Sequence, residues 1–280
     1  MRSFWAFLMW CLSLRKESGL DVNVFKSIMI AFSIYSRIPM PTFEWGDADY
    51  RHSISFLPLI GTVIGVLVGI AAIFEDLPAF VLMVIFSLIP LMVTGGFHLD
   101  GFMDVCDAKS SFSEKEKSLE IMKDPHIGAF AVIGLLKLAL IWAGALYLVV
   151  YGWKTGRHMG GVYSYAVSFM TVRALCGLIS IILPKAKSDG MLVREAGDAA
   201  IKDKMILGAE LIIAGAAWAY VDWMPAICCG TGLFVFSTYY YLMCKKRFGG
   251  VTGDTAGYYV VMSELVVVVI LAVTGTASWM

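Results

Sequence analysis

The 280-residue chain is strongly hydrophobic and carries no net charge. Hydrophobic residues make up 59% and charged residues 16% of the sequence, with a mean hydropathy of +0.77. Soluble domains average roughly 45–50% apolar and about 25% charged residues. The composition therefore excludes an ordinary soluble domain, and the balanced charge gives no indication of a nucleic-acid partner.

The N-terminal residues precede the long apolar segments. The stretch "SFWAFLMWCLSL" is too short to cross a bilayer, and no cleavage site of a signal peptide follows it. Trp5 and Trp10 are typical of a membrane-interface anchor, so residues 1–21 are predicted to be an interfacial extension. Residues 22–38 are amphipathic and are predicted to lie on the membrane or dip into it.

Seven later segments are long and apolar enough to predict membrane-spanning helices, each of which needs about 20 residues to cross a core of roughly 30 Å. No alternating segments typical of a β-barrel are present. The predicted fold is all-α, a single polytopic helical bundle over residues 1–280, with a tight hairpin expected between its fifth and sixth spans. The spans are 53–74, 79–97, 128–151, 161–183, 206–221, 224–243 and 258–275.

The distribution of basic residues predicts the orientation of this bundle. The connections on one side, at 39–52, 98–127, 184–205 and 244–257, hold most of the lysines and arginines, whereas the other side has only Lys154 and Arg157. Basic connections stay in the cytoplasm. The acidic segment 98–127 is therefore predicted to be a cytoplasmic loop of a cell inner membrane protein.

The segment "GGFHLDGFMDVCDA" places three aspartates close together, at Asp100, Asp104 and Asp107. On a helix this spacing confines them to about 60° of one face, where their mutual repulsion is relieved by a divalent cation such as Mg²⁺. The alternative is a solvated acidic turn. His98 is a candidate base, metal ligand or orienting group, although a single histidine often has none of these roles.

Other polar residues are candidates with structural alternatives. Lys123 is a candidate phosphate contact or a partner of Glu120. Asp254 either completes the metal site or caps the last helix. Arg173 and Glu264 lie within predicted spans, where isolated charges are costly; they either face a polar interior or form an ion pair with each other.

Five motifs, in order, resemble the cobalamin synthase family of adenosylcobinamide-GDP ribazoletransferases. The resemblance begins near residue 24, and its most specific element is T-G-G-x-H-L-D-G-x-x-D-x-x-D. The chain departs from the family pattern at Ala108, Ala256 and Leu192, and none of these positions is one of the three aspartates. The motifs are "YSRIPMP" (35–41), "SISFLPLIG" (53–61), "TGGFHLDGFMDVCDA" (94–108), "LEIMKDPHIGAF" (119–130) and "TGDTAG" (252–257).

The resemblance implies a Mg²⁺-dependent transferase late in cobalamin biosynthesis. In this reaction a ribose hydroxyl of α-ribazole, or of its 5′-phosphate, attacks the corrinoid-side phosphorus of adenosylcobinamide-GDP and GMP leaves. The expected partners are these substrates and the lipid bilayer, without nucleic acid, and either a second copy of the chain or upstream pathway enzymes. The active site is expected on the cytoplasmic face of the membrane.

The resemblance also implies roles for individual residues. The aspartates at 100, 104 and 107 are the expected metal ligands. A catalytic group is expected to contain His98, Asp254 and Arg173, and Arg37, Lys123 and Asp124 are expected substrate contacts. The alternatives are a CDP-alcohol phosphotransferase, whose D-G-x-x-A-R pattern is missing here, a prenyltransferase, which needs a second aspartate-rich motif, and a transporter.

Overall fold

The computed structural model describes residues 21–41, 45, 49–111, 114–188, 190–196 and 201–277. These residues form eleven α-helices and no β-strand. Short 3₁₀ helices at Asp49–Phe56 and Ala72–Phe74 flank the second α-helix. The α-helices are α1 (Asp21–Tyr35), α2 (Leu57–Ala71), α3 (Ala79–Thr94), α4 (Phe97–Ser110), α5 (Lys115–Ile121), α6 (Ala129–Lys154), α7 (Gly161–Ile182), α8 (Met191–Ala196), α9 (Ile201–Val221), α10 (Trp223–Arg247) and α11 (Gly253–Ala277).

The helices confirm the predicted membrane bundle. Within the described ranges, six helices are long and apolar enough to cross a bilayer, namely α2 with its 3₁₀ flanks, α6, α7, α9, α10 and α11. A seventh crossing exists only if α3 and α4 are taken together, and these two helices meet at 92°. Most apolar residues of this bent pair lie in α3, whereas α4 carries the aspartates, so we describe α4 as a helix at the end of the bundle, outside the membrane core.

Several boundaries differ from those predicted. The second span ends at Thr94 rather than residue 97, because Gly95 and Gly96 have left-handed backbones with φ of 63° and 82°. The fifth span begins at Ile201 rather than residue 206. The predicted hairpin after it is confirmed, since Asp222 is the only residue between α9 and α10. The segment 98–127, predicted as a connection between spans, contains most of α4, all of α5 and a short irregular stretch before α6 among its described residues.

Helices α7 and α11 lie at the centre of the bundle. Helices α2 and α9 pack on α7, and α4, α6 and α10 pack on α11. On α2 the fully buried residues Ile60, Ile64 and Val68 recur every four positions, which places them on one helix face. The N-terminal helix α1 also contributes to the buried interior, through Ile30 and Tyr35. The predicted interfacial anchor at residues 1–20 lies outside the described residues.

Two connections are joined at the end of the bundle where α4 lies. The amide of Ala186 donates to the Val251 carbonyl at 3.0 Å, and the Val251 amide donates to Pro184 at 2.9 Å. Directly after this pairing, the amides of Thr252 and Thr255 each donate to the hydroxyl of the other, at 2.8 and 3.1 Å. These bonds fix the beginning of α11 beside the connection that follows α7.

Candidate active site

The three aspartates lie on α4, which turns away from α3 at a glycine pair. The left-handed backbone of Gly95, with φ of 63°, favours glycine, and the Arg37 side chain packs against it, with Nε 2.3 Å from where a Cβ atom would lie. Asp100, Asp104 and Asp107 share about 60° of the α4 surface at 100° per residue. The turn at Gly95 therefore presents one acidic helix face at the end of the bundle.

Close packing of two helices brings a fourth carboxylate to this face. A Cβ atom on Gly101 would lie 2.8 Å from the Asp254 backbone, and one on Gly257 would lie 2.9 Å from the His98 carbonyl. Helix α11 therefore crosses α4 in backbone contact. Asp254, the second residue of α11, lies beside the α4 aspartates. Burial, followed by the charges of Asp100, Asp254 and Asp107, raises the pKa of the Asp104 carboxyl to about 6.

Asp107 has a structural role that the sequence did not indicate. Its two carboxylate oxygens accept hydrogen bonds from the backbone amides of Gly128 at 2.7 Å and Ala131 at 2.8 Å. These amides belong to the first turn of α6, where N–H groups lack partners inside the helix and favour a negative charge. Asp107 therefore fixes the beginning of α6 to the end of α4.

The carboxylates provide ligands for a metal ion without forming a complete cage. Within the ranges that the structure describes, no three His, Cys, Asp or Glu side chains converge closely enough to hold an ion. Mg²⁺ is usually bound by one or two carboxylates together with substrate phosphates and water. Asp100 and Asp104, with Asp254 beside them, are the residues that could supply one or two such carboxylates.

A polar cavity of about 570 Å³ opens at the junction of α3 and α4. Arg37, the Gly95–Gly96 pair and the first turn of α4, including Asp100, line it. A helix N-terminus and a guanidinium both attract anions. The Asp100 carboxylate lines the same cavity, so the cavity contains one positive and one negative side chain. The predicted substrate residue Arg37 is thus brought together with one predicted metal ligand.

The remaining predicted catalytic residues lie in the interior. His98 is 6% exposed and stacks on Tyr35, with ring centroids 6.1 Å apart. It lies about half a turn from Asp107 around α4, so it does not join the acidic face.

Arg173 is 1% exposed, and its Nη1 donates to Oε1 of Glu264 at 2.7 Å. This is the ion pair that the sequence indicated as the structural alternative to a catalytic role.

Lys123 and Asp124 are exposed in the connection between α5 and α6. The backbone amide of His126 donates to Asp124 Oδ1 at 2.9 Å, and the histidine ring lies 2.7 Å from the same oxygen. These interactions lower the pKa of the Asp124 carboxyl. Both predicted substrate residues lie in the connection whose far end Asp107 anchors at Gly128 and Ala131, and neither lines the polar cavity.

Sequence reasoning did not single out two charged residues in this region, Lys187 and Glu195. Lys187 exerts its positive charge on Asp254, and only the density of lysines in that connection pointed to it. Glu195 is 2% exposed and accepts a hydrogen bond from Tyr35 at 2.6 Å. Burial raises the pKa of the Glu195 carboxyl to about 7, against the opposing effect of the Tyr35 hydrogen bond.

Comparisons with known proteins give one consistent result. The sequence profile of the cobalamin-5-phosphate synthase family matches residues 27–272. A protein from Lachnoclostridium phytofermentans, named adenosylcobinamide-GDP ribazoletransferase, is 35% identical over 90% of this chain and 98% of its own length. A protein of the same name from Clostridium botulinum (Alaska E43) is 31% identical over 87% of this chain and 96% of its own length. Another from Clostridium perfringens (SM101) is 28% identical over 89% of this chain and 98% of its own length. No solved structure matches the chain significantly.

Proposed function

Because the chain belongs to the cobalamin-5-phosphate synthase family, we propose that it transfers the adenosylcobinamide-phosphate group from adenosylcobinamide-GDP to α-ribazole or α-ribazole 5′-phosphate. A ribose hydroxyl oxygen forms a bond to the corrinoid-side phosphorus, the bond from that phosphorus to the oxygen of GMP breaks, and the hydroxyl proton is released. The product is adenosylcobalamin or its 5′-phosphate. The family match does not favour the phosphotransferase, prenyltransferase or transporter alternatives.

The observation that carries this proposal is the acidic face beside an anion-binding cavity. Phosphoryl transfer requires positioning and neutralisation of charge more than covalent participation by the protein. Arg37 and the first turn of α4 line the cavity in which we propose that the diphosphate binds. Because the Gly95–Gly96 turn sets the direction of α4, it also sets the position of Asp100 relative to that diphosphate.

We propose that Asp100 and Asp104, with Asp254 from α11, hold Mg²⁺. When bound, this ion would neutralise charge on the diphosphate and on the departing GMP. Asp107 is the least suited of the three α4 aspartates, because both of its oxygens already accept backbone hydrogen bonds. Its proposed contribution is to hold α4 and α6 together, which keeps Lys123 and Asp124 near the acidic face as candidate substrate contacts.

We place this site on the cytoplasmic side of the inner membrane. The lysine-rich and arginine-rich connections supporting this orientation are those at the α4 end of the bundle. The diphosphate-bearing substrate is charged and needs an aqueous approach, which the polar cavity provides. A second copy of the chain or upstream pathway enzymes remain the proposed protein partners.

The direct test uses the full chain purified into lipid nanodiscs. GMP release from adenosylcobinamide-GDP should require both α-ribazole (or its phosphate) and Mg²⁺, with one GMP formed for each cobalamin product. Omission of the acceptor and chelation of the metal are the two controls. Acceptor-independent release of GMP, or no release under any of these conditions, would contradict the proposed function.

A further inference from the structure

An apolar cavity of about 320 Å³ opens between the helices of the bundle, next to the beginning of α4. Its walls come from α3, α6 and α11, with Met83, Leu138 and Val261 among the lining residues. Pockets that bind small organic ligands measure roughly 300–1,000 Å³ and are mostly apolar with a few polar groups. The cavity has the size and composition of a site for one small, flat, apolar group.

Three residues lining this cavity contain a buried nitrogen atom without a partner among the described residues. The atoms are Nε of Arg173, Nδ1 of His98 and Nε1 of Trp142. Arg173 uses its Nη1 for Glu264 at 2.7 Å and for the Phe169 carbonyl at 3.2 Å, so its Nε–H remains available. An unsatisfied buried donor costs roughly 1–3 kcal/mol. The N–H groups of Arg173 and Trp142 can only donate, so they favour a ligand that supplies a hydrogen-bond acceptor.

The apolar cavity adjoins the polar cavity that contains Arg37 and Asp100. Thr94 and Leu99 line both cavities. A single molecule with an apolar end and a polar end can therefore extend across the junction of α3 and α4, with its polar end beside the acidic face.

We infer that the apolar cavity binds the dimethylbenzimidazole base of α-ribazole and directs its ribose toward the α4 aspartates. This inference rests on the proposed function. The base is flat, carries two methyl groups, and has one unprotonated ring nitrogen that accepts a hydrogen bond from the Arg173 or Trp142 N–H. A lipid chain offers no such acceptor. Guanine has several polar edges that the apolar walls leave unpaired, which is unfavourable.

Filling the cavity from two different helices tests this inference. Ala143→Phe adds volume from α6 and Ser87→Leu adds volume from α3, and both residues line the cavity. Among the described residues, the Ser87 hydroxyl donates to the Met83 carbonyl of its own helix. Ala216→Phe is the matched control, because Ala216 is exposed on α9 and lies outside the cavity lining. All variants are assayed in nanodiscs with each substrate varied in turn.

Ala143→Phe and Ser87→Leu should each raise the KM for α-ribazole at least tenfold while changing the KM for adenosylcobinamide-GDP less than twofold. The control Ala216→Phe should change neither KM. The unaltered protein should show a KM at least about tenfold higher for benzimidazole riboside, the analogue of α-ribazole that lacks the two ring methyl groups. Each buried methyl group contributes about 0.8 kcal/mol. This second comparison decides the question even if the variants fail to fold.

Three results would overturn the inference while leaving the proposed function intact. They are equal KM values for the methylated and unmethylated ribosides, a selective increase in the KM for adenosylcobinamide-GDP, and an equal increase for both substrates. Failure of the unaltered protein to release GMP in the presence of α-ribazole would instead contradict the proposed function itself.

Discussion

Asp104 and Asp107 lie on the same face of α4 but have different surroundings. Burial, followed by the charges of neighbouring carboxylates, raises the pKa of Asp104 to about 6, whereas Asp107 accepts two backbone hydrogen bonds from α6. The even spacing of aspartates in the sequence suggested one shared role for all three. Capping of α6 by Asp107 could not be predicted, because it depends on a tertiary contact. The two capped amides follow Asp107 by 21 and 24 positions in the sequence.

Asp107→Asn should reduce stability more than it reduces catalysis. The amide can accept only through one oxygen, so one bond to the first turn of α6 is lost. Losing a helix cap costs about 0.5–2 kcal/mol, which corresponds to a fall of a few degrees in Tm. Thermal melting in nanodiscs measures this effect, with Asp76→Asn in the exposed connection at the opposite end of the bundle as the control. An unchanged Tm with abolished turnover would instead favour Asp107 as a metal ligand.

Glu195 should make stability depend on pH in a defined direction. Its pKa is raised to about 7 in the folded chain from an ordinary value of 4.5, so its stabilising effect is fully present below pH 4.5. Between these values the folded state keeps a proton that the unfolded state has lost, and stability falls as pH rises, by about 1.4 kcal/mol per pH unit. Above pH 7 this contribution is lost.

The measurement is the Tm of the wild-type chain and of Glu195→Gln from pH 5 to pH 8. The glutamine variant keeps an acceptor for Tyr35 and cannot ionise, so its Tm should fall less between pH 5 and pH 7. Parallel curves for the two proteins over this range would exclude the buried carboxyl as the origin of the pH dependence.

At the scale of helices, the crossing of α4 and α11 determines where Asp254 lies. The glycines at 101 and 257 permit backbone contact between these helices. The sequence identified both glycine-rich motifs and the helix face of the aspartates. It did not predict the 92° turn between α3 and α4, because the fall in hydropathy after "LIPLMVTGG" indicates where a span ends but not the direction of the next helix.

Gly101→Ala should separate the two helices and lower turnover. The added Cβ atom would lie 2.8 Å from the Asp254 backbone, so the helices must move apart. Displacements of about 1 Å at a catalytic site can reduce rates about 10²-fold. Gly230→Ala on α10 is the control, because its Cβ meets nothing within 4 Å. Equal turnover in the two variants would show that the close crossing is not required.

At the scale of the whole molecule, the class of fold and the number of apolar segments could be predicted from the sequence. The lengths of hydrophobic segments are set by the bilayer thickness, a physical constraint that acts on each segment separately. The cavities could not be predicted, because they depend on how helices distant in sequence pack together. Arg173 illustrates the difference: its burial in a span was expected, but its position beside an apolar cavity required the assembled bundle.

The orientation of the molecule predicts which face of the membrane is active. Inside-out vesicles from cells expressing the chain should convert added adenosylcobinamide-GDP, because their cytoplasmic face is accessible to this charged substrate. Right-side-out vesicles should show activity only after they are permeabilised. Equal activity in the two intact preparations would contradict the orientation that the basic connections indicate.

The most direct test of the account is GMP release by Asp104→Asn at saturating substrates and Mg²⁺. The substitution removes one carboxylate from the centre of the acidic face while keeping the size of the side chain. Turnover should fall by about 10²-fold or more, as when one electrostatic contact to a transition state is removed, with Tm unchanged or raised and with Asp76→Asn fully active. Near-normal turnover of Asp104→Asn would show that the acidic face of α4 is not the site of phosphoryl transfer.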